Sequence, residues 1–414
     1  MNSPTNDQDY IALEQQYGAN NYHPLPVVLI RGEGIYVWDV HGKQYIDMMS
    51  AYSAVSHGHC HPRLVKILIH QAKQLNLTSR AYYTDKLGAF LKKACELFQM
   101  DKALPMNTGA EAVETALKAI RKWAYTVKQV PKNQAEIIVC RGNFHGRTIG
   151  IISFTSEQQY RQGFGPFAPG FKIIPYGDVS ALAQAITPNT AAFLVEPIQG
   201  EGGIVLPPSG YLAQCAAICR DNNVLLVTDE VQTGLGRTGK LLASYHDDVQ
   251  PDALILGKAL GGGILPISLF LARDDVMNVF QPGDHGSTFG GNPLAASIGL
   301  EALNIIEQDQ LAERAEQLGH YFQQQLLNMH SPLIKEIRGQ GLLIGIEIDP
   351  QHACARHLCK QLLHLGLLSK ETHQTVIRLA PPLIITKQQI DDAVSILQQV
   401  LINHSQSPPK TLPK

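Results

Sequence analysis

No stretch of this 414-residue chain is a continuous apolar run of the roughly 18 residues needed to span a bilayer. The opening segment, MNSPTNDQDY, has neither the basic-then-apolar pattern of a secretory signal nor an Arg-rich amphipathic pattern, so the expected location is the cytoplasm. Charge of one sign is also missing. With 34 Lys and Arg against 36 Asp and Glu, the formal net charge is −2, which gives no field for nucleic acid or an anionic membrane. The seven cysteines are odd in number and contain no C-x-x-C, so reduced thiols are expected rather than a disulfide framework. His57, His59, Cys60 and His61 sit close together, but Gly58 and Pro62 mark a loop and no second pair lies nearby at zinc-like spacing; no metal is expected. No internal repeat or low-complexity segment is visible, and the tail NHSQSPPKTLPK (403–414) is expected to fray.

What is present is an ordinary globular composition, 44% apolar and 17% charged, in a chain long enough for two domains. Val113, Ala116, Leu117, Ile120 and Ala124 fall on one face of a helix over 110–128. Short runs that are apolar on both faces read as buried strands: EIIVCRG (136–142), AAFLVEP (191–197), VLLVTDE (224–230), DALILGK (252–258) and ISLFLAR (267–273). Helical stretches such as Tyr211–Asp221 separate them. This alternation predicts an α/β fold with a mostly parallel sheet. The pattern changes near residue 290. A helix opens at Asn292–Pro293, another covers 311–330, then come the strand-like GLLIGIEID and a last helix near 387–402. The expected organisation is an N-terminal segment (1–50) packing on the small domain and the active site, a large domain (51–290) and a small C-terminal α/β domain (291–414).

One motif points elsewhere. Gly234-x-Gly236-x-x-Gly239 has the spacing of a dinucleotide-binding turn, and Gly234 through Lys240 nearly spells a phosphate-binding loop. A P-loop needs Ser or Thr after its Lys, but Leu241 follows Lys240. A dinucleotide turn starts straight off its strand and opens a helix, whereas Asp229, Glu230 and Gln232 intervene here and a Pro-bearing loop follows. We therefore read the glycines as a flexible turn packing near the site or a subunit interface. A nucleotide-binding protein, the reading from a different class, would be colourless and bind ATP or NAD.

In open α/β sheets, ligands bind beyond the carboxyl ends of the strands. Those ends carry Glu196 with Glu201 behind it, Asp229 with Glu230, and Lys258 followed by ALGGG. A lone Lys after a strand is usually solvated. Lys258 instead follows an apolar strand that would strip water from its amine, and the glycines after it allow close approach by a ligand. A free amine attacks carbonyls, so the segment suggests a Schiff-base lysine and pyridoxal 5′-phosphate. That cofactor needs an acid beside its ring nitrogen, and Asp229 qualifies. It needs a phosphate cup, which Asn107, Thr108 and Gly109 would form at a helix N-terminus. An ordinary Thr-capped helix would account for the same letters. Phe144 is a candidate wall for the ring, although a lone Phe is more often core.

Together, TDE…GRTGK, LGKALGGG with Lys258 29 residues after Asp229, and GSTFGGNP (286–293) resemble the class-III, fold-type-I aminotransferases. The resemblance runs from about residue 17 to 400. Within that class, the blocks YGANNYHPLPVVL, AYSAVSHGHCHP, LPMNTGAEAVETA, GNFHGRT, VEPIQGEGGIVLP and IRLAPPL are most similar to the ornithine-acting members. The resemblance implies a fold-type-I large domain with a smaller α/β domain. It implies Lys258 as the lysine that carries the cofactor and then moves a proton, with Asp229 at the ring nitrogen and Gln232 at the ring oxygen. Gly109 and Ala110 would hold the phosphate through backbone N–H groups, Phe144 would stack on the ring, and Thr288 would reach the phosphate from the other subunit of a homodimer. Tyr22, Tyr52 and Arg147 would hold the α-amino and α-carboxylate end of ornithine, leaving its δ-amine to react. Glu201 and Arg378 would form a switchable pair.

The switch has its own physical logic, because one pocket must serve two amino donors. Leaving Arg378 buried and unpaired while ornithine reacts would cost about 3–5 kcal/mol, so Glu201 neutralises it. The α-carboxylate of glutamate or 2-oxoglutarate then replaces Glu201 on Arg378 in fork geometry, and Arg147 takes the distal carboxylate. Individually, each of these residues reads more readily as a surface ion pair; only their combination, carried by the family resemblance, overturns that. The chain departs from the vertebrate-type pattern at His145, where Trp is common, and at Ala110 and Phe289. These positions bear on substrate preference rather than on the cofactor. A phenol at Tyr52 suits the α-amino group of ornithine; an apolar residue there would suit 4-aminobutyrate. The implied reaction is ping-pong transfer from ornithine to a 2-oxo acid, the alternative being transfer from N-acetylornithine or 4-aminobutyrate.

Overall fold

The computed structural model describes residues 6–406. Its centre is a seven-stranded sheet, in spatial order Lys102–Met106, Ser268–Ala272, Ala253–Leu256, Leu225–Asp229, Thr190–Val195, Glu136–Cys140 and Phe171–Ile174. Every neighbouring pair is parallel except those made by Ser268–Ala272, which runs antiparallel to both its neighbours. The five apolar runs all became strands of this sheet. Thr190–Val195 and Leu225–Asp229 are buried along their whole length, as strands covered by helices on both faces must be.

The helix Gly109–Thr126 lies across the sheet and buries the predicted face, from Val113 to Ala124. Its start is fixed by a capping box. Thr108 accepts from the N–H of Glu111, and the Glu111 carboxylate accepts from the N–H of Thr108 at 2.7 Å. At its other end Trp123 donates its indole N–H to Asp275 at 2.9 Å. The helix Tyr211–Asp221 covers the opposite part of the sheet.

Two smaller sheets flank this body. Leu29–Glu33, Tyr36–Asp39 and Gln44–Asp47 form an antiparallel meander that ends on Leu367–Leu368, joining the N-terminal stretch to the C-terminal third. Ile334–Gln340, Leu343–Ile348, Val376–Leu379 and Lys370–Thr372 make the third sheet, all antiparallel. The helix Pro293–Gln308 begins with Asn292 capping the N–H of Ala295 and Pro293 in its first turn. It packs on Pro62–Ala72 and Leu87–Phe98; a Cβ on Gly299 would stand 2.7 Å from the Phe90 ring. The last helix, Lys387–Gln406, outruns the expected boundary. Residues 403–406 of the tail thus belong to a helix rather than a frayed end, and 407–414 lie outside the described residues. No helix among the described residues is long and apolar enough to cross a membrane.

The glycine run forms a turn, as expected. Residues 232–239 of it are buried. Gly236 (φ 89°) and Gly239 (φ 100°) hold left-handed conformations. Added Cβ atoms there would meet Ala312 at 3.3 Å and Glu316 at 3.0 Å, on the helix Leu311–Leu327. The run opens no helix at a phosphate; it is a tight junction between the strand-end segment and the C-terminal third.

Candidate active site

Two neighbouring strands deliver the central pair. Leu225–Asp229 ends on the Asp229 carboxylate, and Ala253–Leu256 leads through Gly257 to Lys258. Lys258 is held at φ 46°, a left-handed conformation that is rare for a residue with a side chain and that turns it back over the strand ends. A cavity of about 200 Å³ lies there, lined by Gly109, Ala110, Phe144, Asp229, Gln232 and Lys258, among others. The structure therefore brings together six of the seven residues expected at the cofactor. Gly109 and Ala110 occupy the first helical turn, where N–H groups have no intrahelical partner and favour an anion. Burial lowers the Lys258 ammonium from its ordinary 10.5 to about 8, with Glu201, Asp229 and Glu196 opposing the shift and Arg378 adding to it.

Asp229 is fixed on its far side. Its Oδ2 lies 2.7 Å from Nδ1 of His145, whose side chain is fully buried, and its Oδ1 accepts from the N–H of Val231 at 3.1 Å. Burial, the largest influence on His145, disfavours the imidazolium. The hydrogen bond and charge of Asp229, with the charge of Glu196, outweigh it and raise the pKa. Glu196, buried at the end of Thr190–Val195, accepts from the Phe144 N–H at 2.8 Å. Burial raises its carboxyl to about 7; the Asp229 charge adds to this, while His145 and Lys258 oppose it.

A second cavity, of about 580 Å³, meets the first at Glu201. Tyr22, Tyr52, Arg147, Glu201 and Arg378 all line it. Arg378 is only 2% exposed, and its Nη1 lies 2.7 Å from Oε1 of Glu201. Gln232 donates to the same oxygen at 3.2 Å. Burial pushes the Glu201 carboxyl up, but the charge and hydrogen bond of Arg378 outweigh it, with Lys258 and Gln232 assisting, and lower the carboxyl from its ordinary 4.5 to about 2. Arg147 sits among three rings, 5.6 Å from Tyr22, 5.4 Å from Phe144 and 5.5 Å from Tyr160.

Tyr52 stands 5.3 Å from the Arg378 guanidinium. It belongs to four consecutive left-handed residues, Ser50, Ala51, Tyr52 and Ser53, with φ from 40° to 73°. Such a turn costs about 1–2 kcal/mol per residue and needs outside support. Asp47 supplies part of it by accepting from the N–H groups of Met49 and Ser50. Thr288 is the exception among the expected residues: it is exposed and lines neither cavity. His59 contacts Asp47 at 2.7 Å, and His57 is buried against the Ala302 carbonyl. Sequence reasoning gave no role to Tyr160, the His145–Asp229 contact or the left-handed turn. Glu196 was visible as a strand end, but nothing in the letters around Tyr160 or Ser50–Ser53 marks them.

Residues 17–401 match the aminotransferase class-III family. The chain belongs to the class-III aminotransferases. It is 56% identical over 393 residues to the ornithine aminotransferase of Brevibacillus brevis, covering 94% of this chain and 98% of that one. It is 55% identical over 403 residues to that of Bacillus subtilis, covering 97% and 100%. Among solved structures, an ornithine aminotransferase from Toxoplasma gondii with partial occupancy of PLP superposes with a TM-score of 0.95 at 47% identity, covering 97% of this chain and 95% of that one. The acetylornithine aminotransferase of Elizabethkingia anophelis gives 0.88 at 49% identity, covering 97% and 100%.

Class-III aminotransferases depend on pyridoxal phosphate and take amino acids and 2-oxo acids as substrates. The inner cavity of this family member fits that group chemically. It offers an amine with a lowered pKa, a carboxylate, a helix N-terminus and an aromatic wall. It also holds a buried carbonyl oxygen, Oε1 of Gln232, that has no hydrogen-bond partner among the described residues.

Proposed function

We propose that this class-III aminotransferase moves the δ-amino group of L-ornithine to a 2-oxo acid, 2-oxoglutarate in the main case, in two ping-pong half-reactions. The products are glutamate 5-semialdehyde, which cyclises spontaneously to pyrroline-5-carboxylate, and glutamate. The observation that carries the reading is the closed Glu201–Arg378 pair beside Arg147, which has no carboxylate partner among the described residues. With Arg378 neutralised, the pocket keeps the Arg147 guanidinium for a donor whose only carboxylate lies far from the reacting amine. The ornithine aminotransferases among the relatives support it.

Pyridoxal phosphate, when bound, supplies the aldehyde that takes up the amino group and the ring that accepts the electron pair. The chain's own residues do the rest. Lys258 holds the cofactor and then, as the free amine its lowered pKa favours, carries a proton at Nζ. Asp229, oriented by His145, would hold the ring nitrogen. Gln232 would reach the ring oxygen, Phe144 would flank the ring, and Gly109 and Ala110 would hold the phosphate. Tyr22, Tyr52 and Arg147 bind the amino-acid end of ornithine. In the second half-reaction Glu201 leaves Arg378 to the α-carboxylate of the oxo acid, and Arg147 takes the distal one.

We also place Thr288 at the phosphate of a second copy, making a homodimer with shared sites. Its exposure outside its own cavity supports this, as do the bare rings of Tyr82, Tyr83 and Phe289. The test of the reaction is a comparison of initial rates with ornithine, N-acetylornithine and 4-aminobutyrate at matched concentration. Ornithine should give the highest kcat/KM; a better rate with either rival refutes the reading. N-acetylornithine is the rival with a specific basis, given the Elizabethkingia anophelis structure.

A further inference from the structure

Arg237, inside the glycine run, has no exposed surface, and no carboxylate pairs with it among the described residues. A buried guanidinium without a counter-ion is expensive, so its hydrogen bonds must matter. They go to four places. Nη1 donates to the carbonyls of Leu342 at 3.0 Å and Pro381 at 2.6 Å. Nη2 donates to the hydroxyls of Ser56 at 3.0 Å and Ser50 at 3.4 Å. Asp47, the residue that accepts from Met49 and Ser50, supplies the opposing charge at longer range.

Each partner leads to a pocket residue. Ser50 opens the left-handed turn that carries Tyr52, and Ser56 closes the segment after it. Ser50 donates its own hydroxyl to the Ala380 carbonyl, and the Ala380 N–H donates to the Met48 carbonyl at 2.7 Å. Ala380 and Pro381 follow directly on Val376–Leu379, the strand that carries Arg378. One guanidinium therefore grips the segment behind Tyr52 and the segment behind Arg378, whose side chains meet 5.3 Å apart in the outer cavity. The flanking glycines explain the motif. Only residues without Cβ let the chain pass Ala312 and Glu316 closely enough to bring Arg237 inside.

We propose that Arg237 is a positioning residue for substrate selection: it holds the left-handed turn at 50–53 so that Tyr52 faces Arg378. A lysine cannot replace it, because one ammonium cannot span two carbonyls and two hydroxyls in a fork. The proposal rests on the reading of Tyr52 as a substrate-binding residue. It predicts an effect on binding of the amino donor, whereas a role in stability alone would lower Tm and leave the folded enzyme unchanged.

The experiment compares wild type, Arg237→Lys, Tyr52→Ala and the double variant in the two separate half-reactions. Arg237→Lys should lower kcat/KM for ornithine by about tenfold or more, chiefly through KM. In the double variant the loss should stay within about threefold of Tyr52→Ala alone, since both changes remove the same contact. Amide hydrogen exchange over residues 50–56 should speed up in Arg237→Lys. Losses that multiply, or an unchanged KM with only a lower Tm, overturn the proposal. Should Arg237→Lys fail to fold, Ser56→Ala removes one arm of the same fork and must raise KM for ornithine in the same direction; an unchanged KM there is equally fatal. Wild-type turnover with ornithine separately decides the underlying reading. If another amine proves the better donor, the same variants assayed with that amine still test the role of Arg237.

Discussion

Replacing Glu201 by Gln should reverse the pocket's preference between its two amino donors. Glu201 is the one carboxylate on Arg378 among the described residues. Without its charge, Arg378 keeps a neutral amide neighbour, a 3.4 Å contact to the Gly200 carbonyl and the face of Tyr52. Breaking a fully buried pair costs about 3–5 kcal/mol. Glu201 is 24% exposed and the cavity admits water, so screening reduces this to about 1.5–3 kcal/mol, or about 10–100-fold. Glutamate should gain this amount, because its α-carboxylate meets a guanidinium already free. Ornithine should also begin to bind reversed, its α-carboxylate on Arg378 and its α-amine at the reacting end. The assay is single-turnover absorbance of each half-reaction. The ratio of kcat/KM for glutamate to that for ornithine should rise about 10–100-fold. If both half-reactions fall together and the ratio stays within about threefold, Glu201 is not a switch and the pair is structural.

Other consequences can be checked separately. In the apo-protein, the rate at which the Lys258 amine takes up pyridoxal phosphate, followed by absorbance, should rise with pH and reach half its maximum near pH 8, since burial lowers the ammonium to about 8; a midpoint near the ordinary 10.5 would refute the desolvated environment. Glu196→Gln should stabilise the apo-protein more at pH 8.5 than at pH 5 in thermal melts, by an amount on the order of 1 kcal/mol. The wild-type carboxyl is raised to about 7, so its stabilising proton is fully held below 4.5 and lost as pH rises through about 7. Gly200→Ala would place a Cβ 1.8 Å from Oε1 of Gln232, so it should displace that amide from Glu201 and weaken cofactor retention in dialysis about tenfold. If Thr288 serves a partner's site, sedimentation should find dimers, and Tyr83→Arg with Phe289→Arg should shift them to monomers with loss of bound cofactor.

How much the letters revealed depends on how local the cause is. Strands such as Leu225–Asp229 announce themselves because burial on both faces demands an unbroken apolar run. The cap at Thr108–Glu111 is legible because it closes within one helical turn. Asp229 and Lys258 could be singled out because parallel strands end together, so a polar residue at the end of an apolar run has a known destination. The contacts that cross the chain were not legible. Glu201 and Arg378 are 177 positions apart, and their pairing was expected only through resemblance to a family. The glycine motif shows the limit most clearly. Its spacing suggested a phosphate loop, local chemistry ruled that out, and the letters gave a turn without showing that it is buried against Ala312 and Glu316.

The sequence by itself determined the alternation of strands and helices, the helix caps and the strand-end chemistry, because each follows from propensity, burial period or capping among near neighbours. Tertiary structure alone decided the left-handed turn at 50–53 and the burial of Arg237. A run of non-glycine residues at positive φ is unfavourable in isolation. It persists only where Asp47, Ser56 and a guanidinium from a distant segment converge on it.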